Sequence, residues 1–137
     1  MDKFIQPRGT GRTYNICKYA IEHDCDIVSP TIRSRQYCLD TIKKICDESN
    51  GEYVLCKTNK DSRDLEAIVF RSEEEALIKI TLYTAWVWQA TQGNARSVVV
   101  DDIDECFKKV MGVNIKACSM KSYNPADVAL KGRHNND

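Results

Sequence analysis

A chain of 137 residues with 42% hydrophobic and 29% charged side chains has the makeup of one soluble globular domain, able to bury a core without disulfides or metals. Its 20 basic and 20 acidic residues cancel, so there is no global electrostatic pull toward nucleic acid or a membrane surface. No apolar run approaches the ~18–20 residues that span a bilayer, and no secretory signal opens the chain, so a cytoplasmic protein with no membrane partner is expected.

Residues Lys3–Gln6 read as a short strand running into Pro7 and the turn at Gly9 and Gly11. From Thr13 to about His23, Ile16, Cys17, Ala20 and Ile21 recur at helical spacing and form one apolar stripe. Asp26–Ser29 is a second short strand, stopped by Pro30, which cannot donate to a ladder. A helix is expected from about Ser34 to Glu48, with Cys38, Leu39, Ile42, Ile45 and Cys46 on its buried side and Asn50-Gly51 ending it. The apolar strings Tyr53–Cys56 and Ala67–Phe70 form either a hairpin with a long polar tip or two strands at different places in the sheet.

Ser72 followed by three glutamates has the form of a helix start, with a hydroxyl cap and negative charge on the positive end of the dipole. That helix would run to about Thr91. Its β-branched and aromatic residues between Ile78 and Val87 make a strand a competitor, and at least one of Trp86 and Trp88 is expected in the core. Ser97–Val100 reads as a strand buried on both faces. A helix from Glu105 to Met111 stops at Gly112, Ile115–Met120 is a last strand, and residues 131–137 form a flexible tail after a single domain spanning 1–130. Alternating strands and helices predict an α/β fold, a three-layer sandwich around a mostly parallel sheet.

The seven cysteines include no Cys-x-x-Cys pair, which argues against a structural zinc and against a disulfide framework; most are expected as buried thiols acting as small hydrophobes.

Two segments about ninety residues apart carry chemistry. In Pro7-Arg8-Gly9-Thr10-Gly11-Arg12-Thr13, glycines free successive backbone N–H groups to converge on phosphate oxygens at a helix N-terminus. Thr13 then stands where a hydroxyl binds magnesium, and Tyr14 follows it. Two departures weaken the pattern: Gln6 holds the place of the first glycine, and Arg12 holds the place of the lysine. Arginine keeps the charge but replaces a compact ammonium with a planar fork. A plain strand-to-helix turn is the competing reading.

In Val98-Val99-Val100-Asp101-Asp102-Ile103-Asp104, an apolar strand delivers carboxylates at its C-terminal end. Magnesium on a nucleotide takes one or two such ligands, so Asp101 would hold the metal and Asp102 would orient or deprotonate the attacking water. A solvated loop leading into a helix is the alternative.

Together these segments resemble the P-loop NTPases, and more closely the nucleotide-binding core of RecA- and helicase-like ATPases. Gly9–Thr13 matches the first (Walker A) motif, Ser29-Pro-Thr-Ile-Arg-Ser-Arg35 the segment after the second strand, and Asp101-Asp-Ile-Asp104 a Walker B motif similar to the Asp-Glu-Ala-Asp box. The chain is also similar to small phage-encoded ATPase-like proteins that open with a Pro-Arg-Gly-Ser-Gly-Lys-Thr type of loop. The resemblance implies Mg2+ and ATP as ligands and a role in a phage or mobile-element DNA process. It implies nucleic-acid backbone contact by Arg33 and Arg35, although a solvated helix face serves equally for them, and a γ-phosphate sensor at Ser119 or Lys121. There is no second RecA-like lobe and no nameable arginine finger, so turnover would need self-association or a partner.

The residues thus predict a magnesium-dependent nucleoside-triphosphate-binding protein with slow or partner-dependent hydrolysis. The alternative is a catalytically degenerate module of the same fold that binds a nucleotide, a nucleic acid or a protein without turnover. A small-molecule kinase is disfavoured because no arginine-rich lid is present.

Overall fold

The structure is a computed structural model that describes residues 11–60, 65–91 and 96–112. In chain order the elements are α1 (Arg12–His23), β1 (Asp26–Ser29), α2 (Ile32–Glu48), β2 (Tyr53–Lys60), β3 (Leu65–Arg71), β4 (Ala76–Thr84), α3 (Ala85–Ala90), β5 (Val98–Val100) and α4 (Ile103–Met111). The expected strands at Lys3–Gln6 and Ile115–Met120, the tail, and Cys118 lie outside the described residues.

The five strands form one mixed sheet in the order β2-β3-β4-β1-β5. β1 runs parallel to both β4 and β5, whereas β2, β3 and β4 form an antiparallel meander. The α/β class is as expected, but the sheet is only partly parallel. The cause is local. Four residues, Ser72–Glu75, join β3 to β4, and a parallel pair needs a crossover of a dozen or more.

The same turn corrects the helix expected from Ser72. Ser72 does not open a helix; its N–H donates to Glu52 O at 2.9 Å. Glu75 closes the turn at φ 52°, in left-handed backbone. From Ala76 onward the pattern has period two. Ile78, Ile80 and Leu82 are buried while Leu77 and Lys79 are exposed, so the β-branched residues decide for a strand. Only Ala85–Ala90 is helical, capped by Thr84 Oγ1, which accepts from Val87 N–H. With so short a helix, Ala85 alone is buried, and Trp86 (62% exposed) and Trp88 (37%) both lie outside the core.

β2 and β3 do form a hairpin, with Tyr53 opposite Arg71 and Lys60 opposite Leu65. A register shift between Leu55 and Lys57 bulges the outer strand.

Alternation along β1 assigns the layers. Ile27 packs with α1 and α2 residues such as Cys17, Ile21, Cys38 and Ile42, together with Ile80 and Leu82 of β4. Val28 faces the other way and packs with Tyr83, Ala85 and Cys106. Helices therefore cover both faces, with α1 and α2 on one and α3 and α4 on the other. All four residues of β1 are buried, whereas the three valines of β5 are only half-buried. The strand enclosed on both faces is β1, because it has a neighbour on each side; β5 closes the described sheet.

Five of the six described cysteines are buried, and Cys56 on β2 is exposed. One ionic cluster ties the sheet together at the start of β1. The buried Asp26 accepts from Thr81 N–H at 2.8 Å and from Arg96 Nε at 3.1 Å, and Arg96 also pairs with Asp24. Among the described residues no helix is long and apolar enough to cross a membrane.

Candidate functional site

The site forms at the C-terminal ends of β1 and β5, where α1 begins. Gly11 is the N-cap of α1 at φ 81°, a conformation that favours glycine, and its carbonyl accepts from Asn15 N–H at 3.0 Å. Arg12 and Thr13 therefore occupy the first turn, where N–H groups without a partner inside the helix and the helix dipole favour an anion. That turn carries no acidic residue.

On the facing element, parallel pairing continues one residue past β5, since Asp101 N–H donates to Val28 O at 2.9 Å. Asp102 then turns the chain at φ 56° and caps α4, with its carbonyl accepting from Cys106 N–H. Asp is one of the residue types that tolerates this left-handed conformation. The sharp strand-to-helix turn leaves two consecutive carboxylates at the sheet edge.

The two segments meet. Thr13 Oγ1 donates to both carboxylate oxygens of Asp101, at 3.4 Å to Oδ1 and 3.3 Å to Oδ2, across 88 residues of chain. Arg12 Nη2 lies 3.8 Å from Asp102 Oδ2. Both partners of this second contact are partly solvated, so the pair contributes at most about 1 kcal/mol.

Asp101 is buried, at 6% exposure. Burial pushes its carboxyl above the usual range; the Arg12 charge and the Thr13 and Cys38 contacts pull the other way without cancelling it, and Asp102 adds to the rise. A carboxylate held in so unfavourable a place is poised to gain from a cation.

Two cysteines around Asp101 had no functional reading in the sequence. Cys38 Sγ donates to Asp101 Oδ2 at 3.8 Å and sits 3.4 Å from Ser29 Oγ, at the end of β1. Cys106 Sγ donates to the Asp101 carbonyl at 3.3 Å, and burial next to Asp101 and Asp102 pushes its thiol up to about 12. The Cys106 thiol is therefore a protonated donor at neutral pH. Cys38 read only as an apolar residue at helical spacing, and nothing in the sequence relates it to a carboxylate 63 residues away.

Other expected site residues fall differently. Tyr14 is half-buried and packs against the core of α1 and α2. Arg33 is exposed at the start of α2, but Arg35 is buried at 7% exposure, so it does not belong to a solvated helix face. Pro7, Arg8, Gly9, Thr10, Ser119 and Lys121 lie outside the described residues. Comparison with family models, curated proteins and solved structures finds no match to this chain.

Proposed function

We propose that the chain binds a nucleoside triphosphate with magnesium, ATP in the first instance, and hydrolyses it slowly or with the help of a partner. The observation that carries this reading is the hydrogen bond from Thr13, in the first turn of α1, to the buried Asp101 at the end of β5. A hydroxyl and a carboxylate so joined make a ready pair of oxygen ligands for a hard cation that keeps most of its waters. The first turn of α1, from Gly11 onward, would then hold phosphates, with the Arg12 guanidinium beside it. Asp102, next in sequence and more exposed than Asp101, is the group that would orient or deprotonate an attacking water. A nucleotide-bound magnesium would supply charge neutralisation on the phosphate oxygens; the chain's own contribution would be to hold the oxygen ligands at Thr13 and Asp101. The remaining features of a helicase-like P-loop ATPase, among them a DNA-related role, rest on the sequence resemblance.

Titration of ATP into the wild-type protein with and without magnesium, followed by phosphate release, tests the reading. Binding that needs magnesium is expected, and Asp102→Asn should retain binding while losing release by at least about tenfold. A wild-type chain that binds no nucleoside triphosphate removes the proposal.

One contact favours the second reading, a module that has lost turnover. Arg12 leans toward Asp102, so the cation that should face phosphate faces the candidate base. Placing lysine at position 12 separates the two readings.

A further inference from the structure

α4 carries one wide apolar arc, broader than its contact with the sheet. Cys106 and Val110 turn inward against Val28 and Tyr83. Ile103, Phe107 and Met111 recur at i, i+4 and i+8, which places them on one stripe, and they are 38%, 47% and 58% exposed. The outer part of this arc is left largely open to solvent among the described residues.

The charges beside the stripe say what fits it. Asp104 and Glu105 lie in the first turn of α4, and Lys108 and Lys109 in the last. Asp104 and Lys108 are four residues apart and flank the same side of the stripe. Turn the helix end over end and the acidic half meets the basic half. From this we infer that α4 is a self-complementary docking surface for a second copy of the same chain, packed antiparallel about a two-fold axis near Phe107. Ile103 of each copy then meets Met111 of the other, Phe107 meets its own counterpart, and Asp104 and Lys108 pair reciprocally. An isologous interface of this kind closes after two copies. It depends on the α4 stripe alone and not on nucleotide binding.

Sedimentation velocity over a range of concentrations reads the result directly. The wild type is expected to form a concentration-dependent dimer. Asp104→Lys and Lys108→Asp each turn two opposed pairs into two like-charged ones, so each should weaken self-association by about tenfold or more. Mixing the two single variants restores both attractions, and a heterodimer at wild-type affinity should appear. The double variant should dimerise as well as the wild type. Phe107→Asp, with helicity checked by circular dichroism, should be monomeric throughout. A wild type that stays monomeric at about 100 μM, higher-order oligomers, or single variants that do not recombine would each overturn the assignment; the first would mean that residues 113–137 or another protein covers the stripe.

Discussion

Replacing Asp101 with Asn tests whether this carboxylate is held for a ligand or for the fold. At 6% exposure the charged form has given up most of its hydration, a loss of several kcal/mol for a carboxylate. The contacts that offset it are a hydroxyl at 3.3 Å, a thiol at 3.8 Å and the Arg12 charge. Hydrogen bonds of this kind contribute about 1 kcal/mol each. Asn keeps the shape and can still accept from Thr13, so Asp101→Asn is expected to stabilise the nucleotide-free protein by about 1 kcal/mol at pH 7.5, or about 3 °C in Tm for a chain of this size.

The pH dependence has a definite sign. A carboxyl group whose pKa is raised by folding binds its proton more tightly in the folded state. The fold is then favoured below the unfolded value, about pH 4, and loses stability as pH climbs through the raised folded value. The advantage of Asp101→Asn should therefore be full at neutral pH and disappear near pH 4. Magnesium with ATP should reverse the ranking, because a ligand at a hundred times its Kd adds about 2.7 kcal/mol to the wild type and far less to a variant without the metal ligand. Urea unfolding monitored by circular dichroism, with and without magnesium and ATP, measures all of this. A variant less stable than the wild type by 2 kcal/mol or more at pH 7.5 would refute the reasoning, since it would make Asp101 a structural keystone.

Arg12→Lys distinguishes a slow enzyme from a silent module. A compact ammonium should free Asp102 and raise phosphate release at least about fivefold if the site turns over, whereas an unchanged zero rate in a direct phosphate assay supports the module. Arg96→Ala is expected to destabilise the fold by about 3 kcal/mol in denaturant titration, because it leaves the buried Asp26 charge without its cation. A loss under 1 kcal/mol would show that water reaches Asp26. Glu75→Gly, at φ 52° in the β3–β4 turn, should stabilise by about 0.5 kcal/mol in the same assay, since glycine adopts this backbone without the Cβ clash. Any destabilisation counts against a strained turn.

Local pattern made much of the first half of the fold legible. The stripe Ile16, Cys17, Ala20, Ile21 specified α1, and the residues around Cys38 and Ile42 specified α2, because each helix buries one face only. Reading failed at Ser72–Glu75, where a hydroxyl followed by acids is equally good as a helix start and as an exposed turn, and the alternation beyond it was the stronger signal. It failed again on sheet direction, which depends on how long a connection is rather than on any residue type. For the site, Thr13 and Asp101 could be named from spacing, and the fold brings those two side chains into contact. Their thiol neighbours could not, since cysteine at a helical core position carries no mark of what it faces. Arg35 misled for the complementary reason: a charged residue at a helix start reads as solvated, yet here it is buried.

The border strand β2 has a bearing on how the protein behaves when concentrated. The side with no partner strand among the described residues would be a template for another chain's backbone, the usual beginning of amyloid-like stacking. The break in register between Leu55 and Lys57, with Lys57 and Lys60 exposed along the strand, spoils that template by kinking it and charging it. Removing the kink by deleting Cys56, or neutralising both lysines, would make a straighter and stickier rim, so handling and storage of the protein depend on two side chains and one extra residue that have no part in its chemistry.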